Sequence, residues 1–422
     1  MTADPVADVA AEMLIIADDL SGAADCGIAC TLAGLDTVVV LGEANVPVRA
    51  EAVSVDADTR RLSAEAAATE VARIVQARAR PGQVVFKKLD STLRGHIGAE
   101  LAAALQARRA MHGELVAVVV PAFPATGRTT ARGHQLLHGV KLEDTEVWQR
   151  EKIEGVAHLP AMLEAAGLRA CAIHLDAVRN PARLRAALAT AAAGHDAIVC
   201  DAETNADLGA IAAASVPLGR GTIWVGSAGL AHHLPEAAGL QRPRRPDALP
   251  PANGPILFVV GSMSRVSREQ VERLAAAPGI ELVRVPPADL RAKGGPWQGR
   301  LDAALATGGD VVALLGTETE VNLAEGWALC HALARLAAPL AERIGALVST
   351  GGETARAVLS TFGADALHLV GELEPGVPLS VTADGRALPV ITKAGAFGQP
   401  DTLLRCRAAL RSGWGTNQAE TS

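Results

Sequence analysis

Lys87-Lys88-Leu89-Asp90-Ser91-Thr92-Leu93-Arg94-Gly95-His96-Ile97-Gly98-Ala99-Glu100 sets cations, acids and two hydroxyls directly behind the apolar run Val84-Val85-Phe86. Lys88 and Arg94 can hold a small anion, and Asp90 can accept hydrogen bonds from hydroxyls or take a proton. Residue type alone also permits a solvated charged loop. A polar segment between a short β-run and a helical pattern, however, falls at the carboxyl end of a strand, where open α/β sheets bind ligands. The expectation is a site for a polar, negatively charged metabolite.

Further stretches carry related chemistry. Asp18-Asp19-Leu20-Ser21-Gly22 follows an unbroken apolar run at 13–17 and opens a helical pattern over 23–33. Adjacent carboxylates there can bind a metal, contact hydroxyls or cap the helix, and capping accounts for only one of them. Arg60 closes Asp56-Ala57-Asp58-Thr59-Arg60 behind an apolar run at 52–55. Alone it reads as a surface residue, although its planar fork suits a bidentate carboxylate contact. In the second half, Gly261-Ser262-Met263-Ser264 stands between an apolar run at 256–260 and a helical pattern over 266–277. Thr350-Gly351-Gly352-Glu353-Thr354 repeats that arrangement behind 345–349. Small residues at a strand-to-helix turn can receive phosphate on backbone N–H groups. The paired glycines allow close approach, Thr354 can donate to phosphate, and Glu353 can position magnesium or pair with a cation. Neither stretch is a Walker or dinucleotide-binding fingerprint. Gly226-Ser227-Ala228-Gly229 lacks the spacing of a hydrolase nucleophile turn and is read as a glycine-rich turn.

These groups need strands to carry them. Apolar runs at 37–41, 84–87, 115–120, 169–175, 197–200 and 222–225 alternate with helical patterns at 61–79, 99–110, 181–193 and 205–214. Such alternation predicts crossover helices and a largely parallel sheet. Segment 144–159 is charged and is expected to pack outside the sheet. Further on, a strand at 310–315 leads through Gly316-Thr317-Glu318-Thr319 to a helix at 324–340, shorter strands follow at 367–370, 378–382 and 388–392, and a last helix spans 401–412. A chain of 422 residues is long for one domain. The expected class is therefore α/β, with two three-layer α/β/α domains, largely parallel or mixed sheets, and an active-site cleft between them. Residues 1–240 form the first domain, the Pro-, Gly- and Arg-rich 241–255 the linker, and 256–422 the second.

The formal charge of -7 argues against a nucleic-acid or membrane-surface partner. The six cysteines are dispersed in apolar context and read as buried thiols of a reducing compartment. Cys26 and Cys30 share a helical face without a nearby second pair to complete a zinc quartet. Residues 1–12 contain acids and no signal-peptide pattern, and no apolar run is long enough to cross a bilayer, so a cytoplasmic location is expected. A symmetric homodimer is the default assembly.

Together the motifs resemble those of the four-carbon acid sugar kinase family, over nearly the whole chain. The resemblance runs through Ala17-Asp18-Asp19-Leu20-Ser21-Gly22-Ala23-Ala24-Asp25, where Ser21 stands for the usual Thr, through Thr59-Arg60, and through the 87–95 segment. Gly95-His96-Ile97-Gly98 replaces the common Gly-Asn-Ile-Gly, and Pro121-Ala122-Phe123-Pro124 follows. The Gly-Ser-x-Ser of 261–264 and the Gly-Gly-Glu-Thr of 351–354 match, and Lys393-Ala394-Gly395-Ala396-Phe397-Gly398 has alanine for the second glycine of Lys-x-Gly-Gly-Phe-Gly. If position 396 requires a positive φ, Ala396 strains it.

The resemblance implies a first domain that holds the sugar acid and a second that holds ATP, with Mg2+ on the phosphates and ligands that the sequence does not name. Substrate contacts would come from Asp18, Asp19, Arg60, Lys88, Asp90, Ser91 and Arg94. Asp19 is the first candidate to accept the hydroxyl proton, with Asp18 and Asp90 as rivals. Nucleotide contacts would come from Gly261, Ser262, Ser264, Gly351, Gly352, Glu353, Thr354, Gly395 and Gly398. Arg128 and His134 are read as substrate contacts or turn stabilisers. The 87–95 segment is similar to the threonate and erythronate branch, which implies phosphorylation of the 4-hydroxyl of D-threonate, with D-erythronate or a 3-oxo-tetronate as alternatives. In this reading a 3-hydroxyl would serve Asp90 as a donor. A non-enzymatic sugar-acid binder or sensor would explain the first domain but needs no phosphate-shaped loops in the second. A dehydrogenase would need a Gly-x-Gly-x-x-Gly turn that neither half carries.

Overall fold

Unbroken apolar runs become strands buried on both faces, as parallel sheets covered by crossover helices require. The computed structural model describes residues 11–42, 49–151, 153–243, 248–318 and 325–415. Residues 244–247 of the expected linker, Thr319, and both terminal segments lie outside them. The chain divides into two compact units, residues 1–244 and 245–422.

In the first unit the strands are β1 (Met13–Ala17), β2 (Thr37–Leu41), β3 (Ala52–Asp56), β4 (Val84–Lys88), β5 (Ala117–Val120), β6 (Arg128–Ala131), β7 (His134–Leu137), β8 (Val140–Lys141), β9 (Ala170–Ile173), β10 (Ala197–Cys200) and β11 (Ile223–Gly226). Eight of them form one parallel array in the order β2-β3-β1-β4-β11-β5-β10-β9. Met13, Ile15, Phe86, Val118 and Trp224 join a cluster with Cys26 and Ala29 of helix Leu20–Leu32, Leu184 and Leu188 of helix Pro181–Ala192, and Leu208 and Ile211 of helix Asn205–Ser215. Side chains alternate along a strand, so Leu14, Ile16 and Val85 face the other layer, where helices Ala64–Arg78 and Ile97–His112 pack on each other.

Strand order is what positions the site. The chain runs from β1 outward to β2 and β3, then returns to the other side of β1 for β4. Ala17 therefore lies beside Asp56 of β3, and Ile16 beside Lys87 of β4. Three charged strand ends meet at one carboxyl edge, at a topological switch point.

Segment 128–141 folds into a small antiparallel sheet, β6-β7-β8. Its two turns place Arg132 (φ 52°) with Gly133 (φ 73°), and His138 (φ 51°) with Gly139 (φ 81°), in the left-handed region. Two consecutive positive φ values make the turn that matches strand twist. Arg and His at the first position, where Asn or Asp is favoured, hide that signal in the sequence.

The second unit contains β12 (Ile256–Val260), β13 (Ile280–Val285), β14 (Asp310–Leu315), β15 (Ala346–Thr350), β16 (Ala366–Glu372), β17 (Pro378–Thr382) and β18 (Pro389–Lys393). Order β13-β14-β12-β15-β18 is parallel, and β17 and β16 extend it antiparallel. No apolar run announces β13, whose edge position leaves Glu281 and Arg284 exposed and breaks the hydrophobic pattern. Phe258, Val260, Val348 and Ile391 pack with Val271 and Leu274 of helix Arg265–Ala275 and with Leu403 and Leu410 of helix Thr402–Ser412. Helices Gly326–Ala337 and Gly352–Thr361 pack on each other.

Candidate active site

In the first unit Asp18 and Asp19 leave β1 and meet Arg60, which arrives from the end of β3. The guanidinium donates from Nε to Asp18 Oδ2 (2.8 Å) and from Nη1 to Asp19 Oδ2 (2.8 Å). Asp19 also caps helix Leu20–Leu32, its Oδ1 accepting from the Gly22 N–H at 2.9 Å. One carboxylate thus caps while both bind the arginine. A Cβ on Gly22 would stand 2.6 Å from Lys88 Nζ and 2.7 Å from Asp19 Oδ1, so glycine leaves room for both charged ends as they are placed.

The two lysines at the end of β4 part company, as neighbours on a strand must. Lys88 turns to Asp18, its Nζ 3.8 Å from Oδ1, whereas Lys87 pairs with the buried Glu100 at 2.7 Å. Asp18 Oδ1 is buried and has no hydrogen-bond partner among the described residues. Asp90 accepts from Arg94 Nε (2.9 Å) and Nη2 (3.0 Å), from the Thr92 N–H (3.2 Å) and from the Thr92 hydroxyl. In this structure the Asp90 carboxylate is engaged by its own loop, so a substrate hydroxyl would have to join or replace these contacts. The Ser91 carbonyl accepts from Gln135 Nε2 at 2.8 Å and ties this loop to β7.

Burial works to raise the Asp18 carboxyl, yet Arg60, Lys88 and Lys87 hold it at about 2. Burial likewise opposes ionisation of Asp90, and Arg94 with Arg60 and Lys88 keeps it well below the usual range. Burial lowers Lys88, but the acids Asp18, Asp19 and Asp90 leave its ammonium raised on balance. The carboxylates are ionised and the cations charged.

Arg128, the first residue of β6, differs from Arg60 and Arg94. Burial lowers it, Asp90 and Arg94 act on it electrostatically, its Nε is buried without a partner, and it forms no ion pair among the described residues. His134 packs against His158 with ring centroids 4.7 Å apart and planes tilted by 51°, and lies 3.8 Å from Glu143, at the root of the hairpin. His96 Nε2 donates to the Leu62 carbonyl at 2.6 Å, holding the loop after β3. Ser227 donates to the Ala122 carbonyl at 2.6 Å and caps the short helix after β11, so its hydroxyl is spent on structure.

In the second unit a cavity of about 320 Å³ opens over the carboxyl ends of the strands. Gly261 and Ser262 after β12, Gly351 to Thr354 after β15 and Gly395 after β18 line it. Pro287, Arg291, Leu315, Glu318, Leu329 and Cys330 complete it from the β13 and β14 side. A Cβ on Gly261 would stand 2.1 Å from Thr354 Oγ1, which sits 3.2 Å from Cys330 Sγ. Two expected nucleotide residues lie outside the lining. Ser264 caps helix Arg265–Ala275 and donates to the Gly395 carbonyl at 2.5 Å. Gly398 (φ 87°) turns tightly against Thr402 and Glu374. Ala396 is not in the left-handed region, so the feared strain is absent.

Arg291 was missed by sequence reasoning. It bonds both oxygens of Glu318 (3.0 and 2.8 Å) and Glu325 Oε2 (2.8 Å), at the rim of the cavity. Nothing local marks it, because β13 brings it there. All six cysteines are free thiols. Among the described residues no helix is long and apolar enough to cross a membrane.

Comparison with known proteins follows the same division. A sugar-binding N-terminal domain matches residues 13–234, and a nucleotide-binding C-terminal domain matches residues 257–403. The chain is 43% identical to a D-threonate kinase of Cupriavidus necator, over 94% of this chain and 97% of that one. It is 33% identical to a 3-oxo-tetronate kinase of the same organism, over 92% and 94%. A solved structure described as the putative tRNA synthase from Salmonella typhimurium LT2 has the same fold, with TM-score 0.78 at 23% identity over 94% of this chain and 98% of that one. Domain order, end-to-end coverage and the acid and glycine motifs all agree: the chain belongs to the four-carbon acid sugar kinase family.

Proposed function

We propose that this protein is an ATP-dependent kinase that phosphorylates the 4-hydroxyl of D-threonate. The observation that carries the reading is the combination of identity to three D-threonate kinases, at 43%, 35% and 32%, with a buried anion-and-hydroxyl site in one unit and a nucleotide-sized cavity in the other. A 3-oxo-tetronate kinase at 33% and a D-erythronate kinase at 28% define the competing substrates.

Asp18 Oδ1 supports a hydroxylated substrate. A buried acceptor without a donor costs roughly 1–3 kcal/mol, and a sugar hydroxyl would supply the donor where a 3-oxo group would not. The substrate carboxylate would go to Arg128, the guanidinium without a carboxylate of its own, assisted by Arg94. Asp19, 24% exposed at its side chain against 4% for Asp18, is better placed to receive the terminal hydroxyl proton. Phosphoryl transfer passes through a loose transition state, so a weakly basic carboxylate that orients the hydroxyl is sufficient.

The strand order suggests how a nucleotide lies. Its base would face Pro287, Leu315 and Leu329 over β13 and β14, and its phosphates would face the glycine turns over β12, β15 and β18. Among the described residues no group of three or more His, Cys, Asp or Glu could hold a metal by itself. Magnesium that arrives on phosphates needs only one or two carboxylates, and Glu353 in the cavity lining fits that need. There the ion would neutralise phosphate charge. The test is ADP release with ATP and each of D-threonate, D-erythronate and 3-oxo-tetronates. D-threonate should give the highest kcat/KM. A tenfold or greater preference for a 3-oxo acid would overturn the substrate, and no ADP release with any acid would overturn the reaction.

A further inference from the structure

Lys393, the last residue of β18, is 1% exposed, and among the described residues it makes no ion pair. Its ammonium instead donates to the carbonyls of Ala394 (3.0 Å), Gly395 (3.3 Å) and Phe397 (3.0 Å). The Gly395 carbonyl also accepts from Ser264 Oγ (2.5 Å) and Ser267 Oγ (2.7 Å), and that of Phe397 from Gln270 Nε2 (3.2 Å). Every one of these carbonyls is drawn to the same inner side of the turn.

The opposite side follows from peptide geometry. No peptide in the described chain is cis, and in a trans peptide the C=O and N–H point in opposite directions. The N–H groups of Gly395, Ala396 and Gly398 therefore point away from Lys393. Gly395 lines the cavity with Ser262, and a Cβ on it would stand 2.3 Å from Ser262 Oγ. Successive amides aimed outward beside a cavity form an anion-binding concavity.

We propose that Lys393 is the positioning residue of the phosphate end of the nucleotide site, holding the 394–398 turn by its carbonyls so that the amides at its Gly395 end, and the ammonium behind them, face a polyphosphate. The proposal rests on the nucleotide reading given above. It has a consequence that a merely structural lysine lacks, because an uncompensated charge next to a bound polyanion is proton-linked. Burial pulls the Lys393 ammonium down to about 8, against Cys406 and Glu374. Burial pushes the Cys406 thiol up to about 12, so it does not titrate in this window. Glu374 is engaged by Arg405 and Thr402. A phosphate nearby favours the charged ammonium, so the nucleotide-bound protein holds more protons than the free protein. Affinity must then fall as pH rises above about 8, where the terminal phosphate, titrating near about 6, is already ionised.

Calorimetric titration with ATP and magnesium, without sugar acid, tests this in the full chain. In two buffers of different ionisation enthalpy near about pH 8.5, the wild type should take up a proton fraction on binding, and its affinity should drop about tenfold between roughly pH 7.5 and 9.5. Lys393→Met should bind about tenfold more weakly at the lower pH, without proton uptake. ATP binding by the wild type with no buffer dependence and no pH dependence would overturn the proposal even if the variant fails to fold. No ATP binding at any pH would instead overturn the nucleotide reading together with it.

Discussion

Asp18, Asp19 and Asp90 in the first unit are matched by Arg60, Lys88 and Arg94, side chain against side chain, and the depression beside Asp18, Lys88 and Arg94 measures only about 10 Å³. The cavity of the second unit is some thirtyfold larger and is lined largely by glycine turns, small hydroxyl residues and apolar side chains, with Arg291 pairing with Glu318 at its rim. The contrast suits the two proposed ligands. A four-carbon acid has few atoms and needs each one paired, so its site is assembled from charges that pair with each other until the acid replaces some contacts. A nucleotide brings its own charge and a large apolar base, and backbone amides receive phosphate without the cost of burying cations. Lys393 is where the second unit departs from its own rule.

The largest effect expected on this contrast is at Asp19. Asp19→Asn keeps the cap and the shape but removes the proposed proton acceptor, and kcat should fall roughly 10²–10⁴-fold with ATP affinity unchanged. Steady-state kinetics beside calorimetry would show it, and a kcat within threefold of wild type would transfer the role to Asp18. Arg60→Ala comes next, since it strands two carboxylates, one of them buried. Loss of about 3 kcal/mol in urea unfolding is expected, together with a large fall in kcat/KM for the acid. Equal stability would mean that water, rather than the arginine, compensates Asp18.

The second unit should break differently. Gly261→Ala drives a Cβ against Thr354 Oγ1, so ATP affinity should weaken about tenfold while acid binding stays within error. An unchanged ATP affinity would remove this turn from the nucleotide site. The smallest effect is the pH dependence of stability. Asp18 is depressed from 3.8 to about 2 on folding, so its contribution is present above the unfolded value and is lost as pH falls from about 4 toward 2. Urea midpoints should decline more steeply over that window in the wild type than in Asp18→Asn, and parallel declines would show that other carboxylates govern acid unfolding.

Much of the site could be read in order along the chain. Apolar runs ending in Asp18-Asp19, in Asp56 to Arg60 and in Lys88 to Arg94 announce strand ends, because continuous apolarity means burial on both faces and the polar residues that follow must leave the sheet. What could not be read is how these groups divide their partners. Asp90 reads as a free acceptor, yet Arg94 four residues later closes on it. Lys87 and Lys88 look equivalent, and the pleat sends one to Glu100 and the other to Asp18. Ser264 and Thr354 read as phosphate donors, and the packing of β12 against its neighbours spends one on a cap and buries the other. Arg291 carries no signal at all.

By itself the sequence determined the local facts: which runs are buried, where they end, which turns demand glycine and which residue types stand there. These depend on hydropathy, periodicity and backbone sterics within a few residues. Only the tertiary structure decided that Arg60, 42 residues from Asp18, would clamp it, and that, among the described residues, Asp18 would keep one oxygen without a hydrogen bond and Lys393 would be buried without an ion pair. The physical reason is that strand order and pleat direction set those distances, while burial sets the local dielectric, and both arise from the packing of segments far apart in the chain.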